Sequence, residues 1–199
     1  MSIVNGEERS REQSMKTFRG YRRTQGLPGV RNWVGIIPSV FCANTVVKRI
    51  AEQVNGTVPL THPVGCSQVG WDLELTAKAL KGVGRHPNFY GVVVVGLGCE
   101  RFKAKELADS IAASGKPVEL VIIQEEGDSL KAIAKGVRAA QRLVFEADRQ
   151  ETEEFPLAEL CLGLKCGGTD ATSGIAANPS LGFATDQIVT AGGRAILRK

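Results

Sequence analysis

Apolar positions along this chain fall into short flat runs, separated by glycine-broken polar stretches and by amphipathic segments. Trp33 to Val40 (WVGIIPSV) and Gly91 to Val95 (GVVVV) are apolar at nearly every position, the pattern of strands covered on both faces of a parallel sheet. Thr57 to Leu60 and Val118 to Ile123 read as shorter strands. Phe155 to Leu164 reads as a last buried strand holding Cys161 as a small core hydrophobe, and Ala195 to Leu197 as a terminal one. Between them the period changes. Cys42-Ala-Asn44 opens a helix to about Val54, with Val46, Val47, Ile50 and Val54 on one face and Lys48, Arg49 and Glu52 on the other. Asp72 is placed to cap a helix to about Lys81, and Asp128 to cap a long one to about Arg149. Two more are expected over 103–113 and 185–190. Strands alternating with helices predict an α/β fold: a mostly parallel, Rossmann-like sheet of about five to six strands with helices on both faces. Residues 1–16, polar and without period, read as a mobile tail or linker, and 17–199 as a single α/β domain.

Composition narrows the class. At 199 residues, 43% hydrophobic, the chain can bury a substantial core. No apolar run approaches the roughly 20 residues of a membrane span, and the N-terminus has no signal-peptide core. The net charge of +4 is mild, and no aromatic-studded basic block marks a nucleic-acid surface. The arginines crowded between Arg9 and Arg31 suit a small anionic molecule better, or simply a solvated segment. Five cysteines at 42, 66, 99, 161 and 166, an odd count, point to a reducing cytoplasm rather than to disulfides.

Ligands of α/β sheets bind beyond the carboxyl ends of the strands. By that rule Cys42-Ala-Asn44, His62-Pro-Val-Gly-Cys66, Gly96-Leu-Gly-Cys99-Glu100 and Lys165-Cys-Gly-Gly-Thr-Asp170 gather on one rim. Soft thiolates beside glycine turns suit iron, an iron–sulfur cluster or zinc, although four packed thiols are the plainer reading. The scattered spacing is not that of a zinc ribbon or a ferredoxin. His62 is a ligand, an acid/base group or a hydrogen-bonded structural residue. Glu100 is a general base or a charge at a helix start, and Asp170 or Thr172 doubles as a helix cap. VVVVGLGCER approaches a dinucleotide fingerprint, but Arg101 stands where the third glycine belongs.

Taken together, GYRRTQGLPGVRN, HPVGCSQVG, RHPN…GVVVVGLGCE, GLKCGGTDATSGIAANPSLG and TAGG resemble, from about Phe18 onward, the catalytic region of the altronate and galactarate dehydratases. The large subunit of (2R)-sulfolactate sulfo-lyase belongs to the same family. The resemblance implies a cytoplasmic carbon–oxygen lyase that removes water, or sulfite, from a hydroxy acid, with iron as the usual metal. Carried over by motif, it points to Arg23, Arg31, Asn32, His62, Cys66, Gln68, Cys99, Glu100, Cys166, Asp170 and Asn178. On this basis Cys66, Cys99 and Cys166, with Cys42 as a further candidate, are expected to hold Fe2+ or an iron–sulfur cluster. Glu100, His62 and Asp170 are the expected catalytic groups, and Arg23, Arg31, Asn32, Gln68 and Asn178 the expected substrate contacts. The sequence departs from the family pattern at Gln25 and Phe41. The family's catalytic region runs well past Lys199, so the chain is expected to be its first half, partnered by a C-terminal half and a small accessory domain or subunit. A homo-oligomer is compatible with this, and nucleic acid and membrane are not expected partners. The rival readings are a non-catalytic half with packed cysteines and a nucleotide-binding domain.

Overall fold

Gly91 to Val95 is apolar at every position because it lies in the middle of a sheet. The structure, a computed structural model, describes residues 16–165, 167, 168 and 170–198. They form two compact units, one of residues 21–151 and one combining the segment up to 20 with the segment from 152. The span 17–199, expected as one domain, thus falls into these two compact units, and the expected tail, Lys16 excepted, lies outside the described residues.

In chain order, β1 is Thr17–Gly20 and β2 Trp33–Pro38, followed by a 3-10 turn Phe41–Ala43 and helix α1, Asn44–Ala51. Next come β3 (Thr57–Pro59), α2 (Gly70–Gly84), β4 (Phe89–Gly96), α3 (Ala104–Ala112) and β5 (Val118–Ile122). A short α4 (Ile123–Glu126) leads to α5 (Ser129–Asp148), where Asp128 accepts the Lys131 N–H at 2.8 Å as the expected cap. β6 (Glu153–Pro156), β7 (Cys161–Lys165), α6 (Asn178–Thr190) and β8 (Arg194–Arg198) complete the chain.

The larger unit is the expected α/β layer: a parallel sheet in the order β3-β2-β4-β5 with helices on both faces. Ile36 pairs with Val93 and Ile37 with Val94, so neighbouring strands point matching residues to matching faces. Ile36, Val93 and Val95 pack with Val47 and Ile50 of α1 and Ala140 and Leu143 of α5. Ile37, Val92 and Val94 pack with Leu107 and Ile111 of α3 and Leu80 of α2. Both faces are therefore closed, which is why β2 and β4 show no alternation. Four strands share this sheet; the other four pair two by two.

In the smaller unit, β1 and β6 form an antiparallel ribbon pinned by the Phe18–Phe155 ring pair at 5.9 Å, and β7 and β8 a parallel one. The run Phe155–Leu164 is accordingly not one buried strand. Pro156 and a 3-10 turn, Leu157–Glu159, break it, and Cys161 is exposed. None of the described residues of 157–198 is buried, and Ile175, Phe183 and Leu197 stand 84%, 69% and 75% exposed. Among the described residues no helix is long and apolar enough to cross a membrane.

Candidate functional site

The chain leaves β2 toward β3 on one side and later reaches β4 on the other, so the sheet reverses its winding between β2 and β4. The crevice at such a switch point, at the carboxyl ends of the strands, is where open α/β sheets bind ligands. Cys42 follows β2 and Cys99 follows β4, while Cys66 lies in the loop after β3. All three are exposed. Partial desolvation, a hydrogen bond and the repulsion of Cys66, and the field of Cys99 together push the Cys42 thiol above its usual range. Cys66 and Cys99 therefore lie within electrostatic reach of Cys42. Cys166 lies outside the described residues.

Thiols are the donor type that a soft metal takes, and the described ones form no finished cage. Among the described residues, no three His, Cys, Asp or Glu side chains converge closely enough to enclose an ion. The loop carrying Cys66 is held in tight turns: Gly65 has φ +106°, and Ser67, at +63°, is the one non-glycine in the left-handed region among the described residues. A Cβ at Gly65 would lie 3.1 Å from the Ser39 carbonyl oxygen, so glycine lets this loop close against the end of β2.

Glu100 is 5% exposed at the end of β4. The Ser39 hydroxyl donates to its Oε1 at 2.9 Å and the Gly98 N–H to its Oε2 at 2.6 Å. The carboxylate therefore braces the Cys99 loop onto the end of β2. His62 is engaged at both ring nitrogens. Val64 N–H lies 3.4 Å from Nδ1, which assigns the proton to Nε2, 2.9 Å from the Pro38 carbonyl oxygen. Asn44 holds the His62 backbone, donating to its carbonyl at 2.8 Å. As placed, His62 fastens the β3 loop to β2 and offers no free nitrogen. Gln68 differs: its Oε1 is buried without a hydrogen-bond partner among the described residues.

The arginine motif goes elsewhere. Residues 22–32 lead into β2, so they sit at the amino edge of the sheet, opposite the thiols. Arg23 donates from Nε to Pro87 O at 2.6 Å, from Nη1 to Gln150 Oε1 at 3.1 Å, and from Nη2 to Arg31 O at 3.0 Å and Asn32 Oδ1 at 2.7 Å. Burial lowers its pKa. Asn32 in turn donates to Ala147 O at 2.8 Å, and Arg31 to the carbonyl of Val30 at 2.8 Å. Arg23, Arg31 and Asn32 therefore lie away from the thiol rim, where they knit the segment before β2 to its surroundings.

Asp170 and Asn178 belong to the smaller unit. Asp170 Oδ1 accepts from the Thr172 hydroxyl at 2.7 Å and N–H at 2.8 Å, and from the Ser173 N–H at 2.9 Å. These bonds, the Thr172 hydroxyl first, hold its carboxyl below the usual carboxylate range, as suits a helix cap. Asn178, in the first turn of α6, lines a cavity of about 320 Å³ with Lys165, Leu181, Asp186 and Arg198.

Sequence reading placed Asn44 on the rim only as part of the Cys42 loop and left Ser39 inside an apolar strand; their side chains hold the His62 backbone and Glu100. For Ser39 the signal was there: a polar residue directly after the apolar run of β2. One consequence of the Cys42–Cys66 repulsion is measurable. Peptide-level alkylation with iodoacetamide across a pH series is expected to place the half-reaction point of Cys42 above that of the same cysteine in the unfolded chain. Replacing Cys66 with Ala should lower that point, because a repelling neighbour is gone; a point no higher in the folded than in the unfolded chain would contradict the arrangement.

Comparison with known proteins agrees with the motifs. The family model described as D-galactarate dehydratase/Altronate hydrolase, second domain, matches residues 20–148, and that described as D-galactarate/Altronate dehydratase, C-terminal, matches residues 157–199. The chain is 36% identical over 193 residues to an altronate dehydratase of Bacillus subtilis, covering 92% of this chain and 38% of that protein. It is 38% identical over 177 residues to (2R)-sulfolactate sulfo-lyase subunit beta of Chromohalobacter salexigens, covering 89% of this chain and 45% of that one. A galactarate dehydratase (L-threo-forming) of Escherichia coli is 33% identical over 198 residues, with 38% of its length covered. The chain thus spans about two fifths of these relatives, and through the match over 20–148 it belongs to the D-galactarate dehydratase/altronate hydrolase family.

Proposed function

We propose that this chain supplies the thiol-bearing part of a sugar-acid dehydratase, in which water is removed from a hydroxy acid such as altronate or galactarate by an iron-assisted β-elimination. The observation that supports the reading is that Cys42, Cys66 and Cys99 lie in the loops following β2, β3 and β4, at the carboxyl ends of a parallel sheet. These thiols would hold Fe2+ or an iron–sulfur cluster, with Cys166 as the fourth candidate. Bound there, iron would supply the Lewis acidity that a poor leaving group such as hydroxide needs. The chain's own groups do the rest of what is assigned here. Cys42 keeps its proton at Sγ until a ligand displaces it. Glu100 and His62 hold the Cys99 and Cys66 loops at the ends of β4 and β3. Gln68, whose buried Oε1 has no hydrogen-bond partner among the described residues, is the substrate contact assigned on this rim.

Sulfolactate is the second substrate reading, favoured by the 38% identity to a sulfo-lyase beta subunit. In either case the exposed apolar side chains of the smaller unit, Ile175, Phe183 and Leu197 among them, are proposed to be covered by further polypeptide, in the same chain or as a separate subunit.

The test is anaerobic purification, reconstitution with ferrous iron, and measurement of iron and sulfide, followed by a dehydratase screen on aldonates, aldarates and sulfolactate with the rest of the catalytic region supplied. Stoichiometric iron is expected, falling at least about tenfold in Cys66→Ser with the circular dichroism unchanged. Full iron retention in that variant removes the ligand assignment. Sulfite release rather than water loss selects the second substrate.

A further inference from the structure

The loops that follow β2 and β3 run against each other. The Phe41 N–H donates to the Val64 carbonyl oxygen at 2.9 Å. A Cβ at Gly65 would stand 3.1 Å from both the Ser39 carbonyl oxygen and the Val40 Cα. Each of these two touching backbones carries a cysteine at its next position, Cys42 directly after Phe41 and Cys66 directly after Gly65. Their side chains continue the contact by hydrogen-bonding to each other, and both thiols are exposed.

The contact is fastened from its surroundings. Asn44, at the start of α1, donates from Nδ2 to the His62 carbonyl at 2.8 Å and accepts the His62 N–H at 3.4 Å. The His62 ring bonds to the Pro38 carbonyl oxygen at 2.9 Å. Positions 38, 41 and 44 of one loop are thus tied to 62 and 64 of the other, with the two cysteines at the seam. A disulfide needs α-carbons about 4.4–6.8 Å apart and side chains that face each other. Cysteines one step beyond a backbone hydrogen bond, with side chains already in contact, need little movement to meet that condition. Cys99 reaches Cys42 through its field, whereas Cys66 reaches it through a hydrogen bond as well, so the geometry also selects between partners.

We infer that Cys42 and Cys66 are a reversible disulfide pair, closed by a small disulfide such as glutathione disulfide and reopened by the corresponding thiol. One thiolate attacks the sulfur–sulfur bond of the oxidant and releases one glutathione, which leaves a mixed disulfide. The second thiolate then displaces the other glutathione. Two thiols give up two protons and two electrons, and one glutathione disulfide takes them up as two glutathiones. The bond needs neither iron nor substrate and does not depend on the dehydratase reading. Where these thiols hold iron, closing it would withdraw two of the ligands; that consequence rests on the proposed function.

The test is non-reducing peptide mapping by mass spectrometry of the full chain, kept metal-free with a chelator, equilibrated in glutathione buffers of rising disulfide content and quenched with iodoacetamide. A pair of peptides joined through Cys42 and Cys66 is expected, lighter by two hydrogen atoms than the two reduced peptides together. It should exceed every other pairing at least about tenfold, and disappear on return to reduced glutathione. In Cys66→Ser, Cys42 loses its resolving partner and should accumulate as the mixed disulfide with glutathione. Stable glutathione adducts on both cysteines of the unaltered chain overturn the pair. So does linkage of either to Cys99, Cys161 or Cys166 in comparable yield, or full alkylation of both at every buffer ratio. If Cys66→Ser fails to fold by circular dichroism, the linked peptide of the unaltered chain decides alone. With iron excluded throughout, a negative result here leaves the iron assignment to its own test.

Discussion

Gly29→Ala is expected to cost the larger unit roughly 3 kcal/mol and to lower its melting temperature by about 10 °C. A Cβ at that position would stand 2.2 Å from the Pro87 carbonyl oxygen, 2.9 Å from that of Arg31 and 2.8 Å from Arg23 Nη2. Two of these neighbours are backbone, so no side-chain rotation relieves the clash. The glycine cannot retreat either. It exchanges both hydrogen bonds with Tyr21, at 2.7 and 2.9 Å, and the Arg23 guanidinium beside it is held by four carbonyl and amide oxygens. Making room would mean giving up that network, with buried polar groups left unpaired. Gly82→Ala is the matched control. It lies in α2 with nothing within 4 Å of the added carbon, so it should be neutral or stabilise by a few tenths of a kcal/mol up to about 1. Thermal unfolding of both variants checks the pair. A Gly29→Ala protein melting within about 2 °C of the unaltered chain would show that the segment before β2 is not locked as described.

The same segment shows where sequence reading stops. β4 was legible because a strand covered on both faces needs apolar residues at every position, and Val92 to Val95 supply them. Asp128 was legible because a cap is a local device, satisfied three residues away. β1 was not, because Thr-Phe-Arg-Gly has no period and gains its partner only at Glu153–Pro156, far along the chain. The apolar run from Phe155 misled because apolar character was taken as burial, whereas the smaller unit buries little of itself. For the site, the rule that ligands gather at carboxyl ends pointed to the loops after β2, β3 and β4, and those loops carry Cys42, Cys66 and Cys99. Applied with equal strictness, it would have sent Arg23, Arg31 and Asn32 to the other edge, since they precede a strand rather than follow one. His62 was read with a hydrogen-bonded structural role among its alternatives and Glu100 as a base or a helix-start charge, but the loops they fasten were not legible. That fastening rests on Pro38, Ser39 and the Gly98 N–H, whose positions only the fold determines.

Glu100 separates the bracing role from the catalytic one, and two substitutions suffice. Glu100→Leu leaves the Ser39 hydroxyl, on a residue 1% exposed, and the Gly98 N–H facing an apolar group. The loss is expected at roughly 2–4 kcal/mol. With its anchor gone, the Cys99 loop should no longer stay beside Cys42 and Cys66, so iron loading should fall along with stability. Glu100→Gln is nearly the same shape. Its amide oxygen can accept from Gly98, its NH2 can donate to Ser39, and the Ser39 hydroxyl can rotate to accept; the cost should be about 1 kcal/mol. Iron loading should therefore survive in Glu100→Gln and fail in Glu100→Leu. Turnover in the assembled enzyme then decides the chemistry. If Glu100 only holds the loop, the Gln variant keeps most of its rate. If it takes a proton from substrate, the Gln variant loses on the order of 10²- to 10⁴-fold while still carrying its iron. Full iron loading in Glu100→Leu would defeat the bracing assignment itself, because the carboxylate would then be holding nothing the thiols depend on.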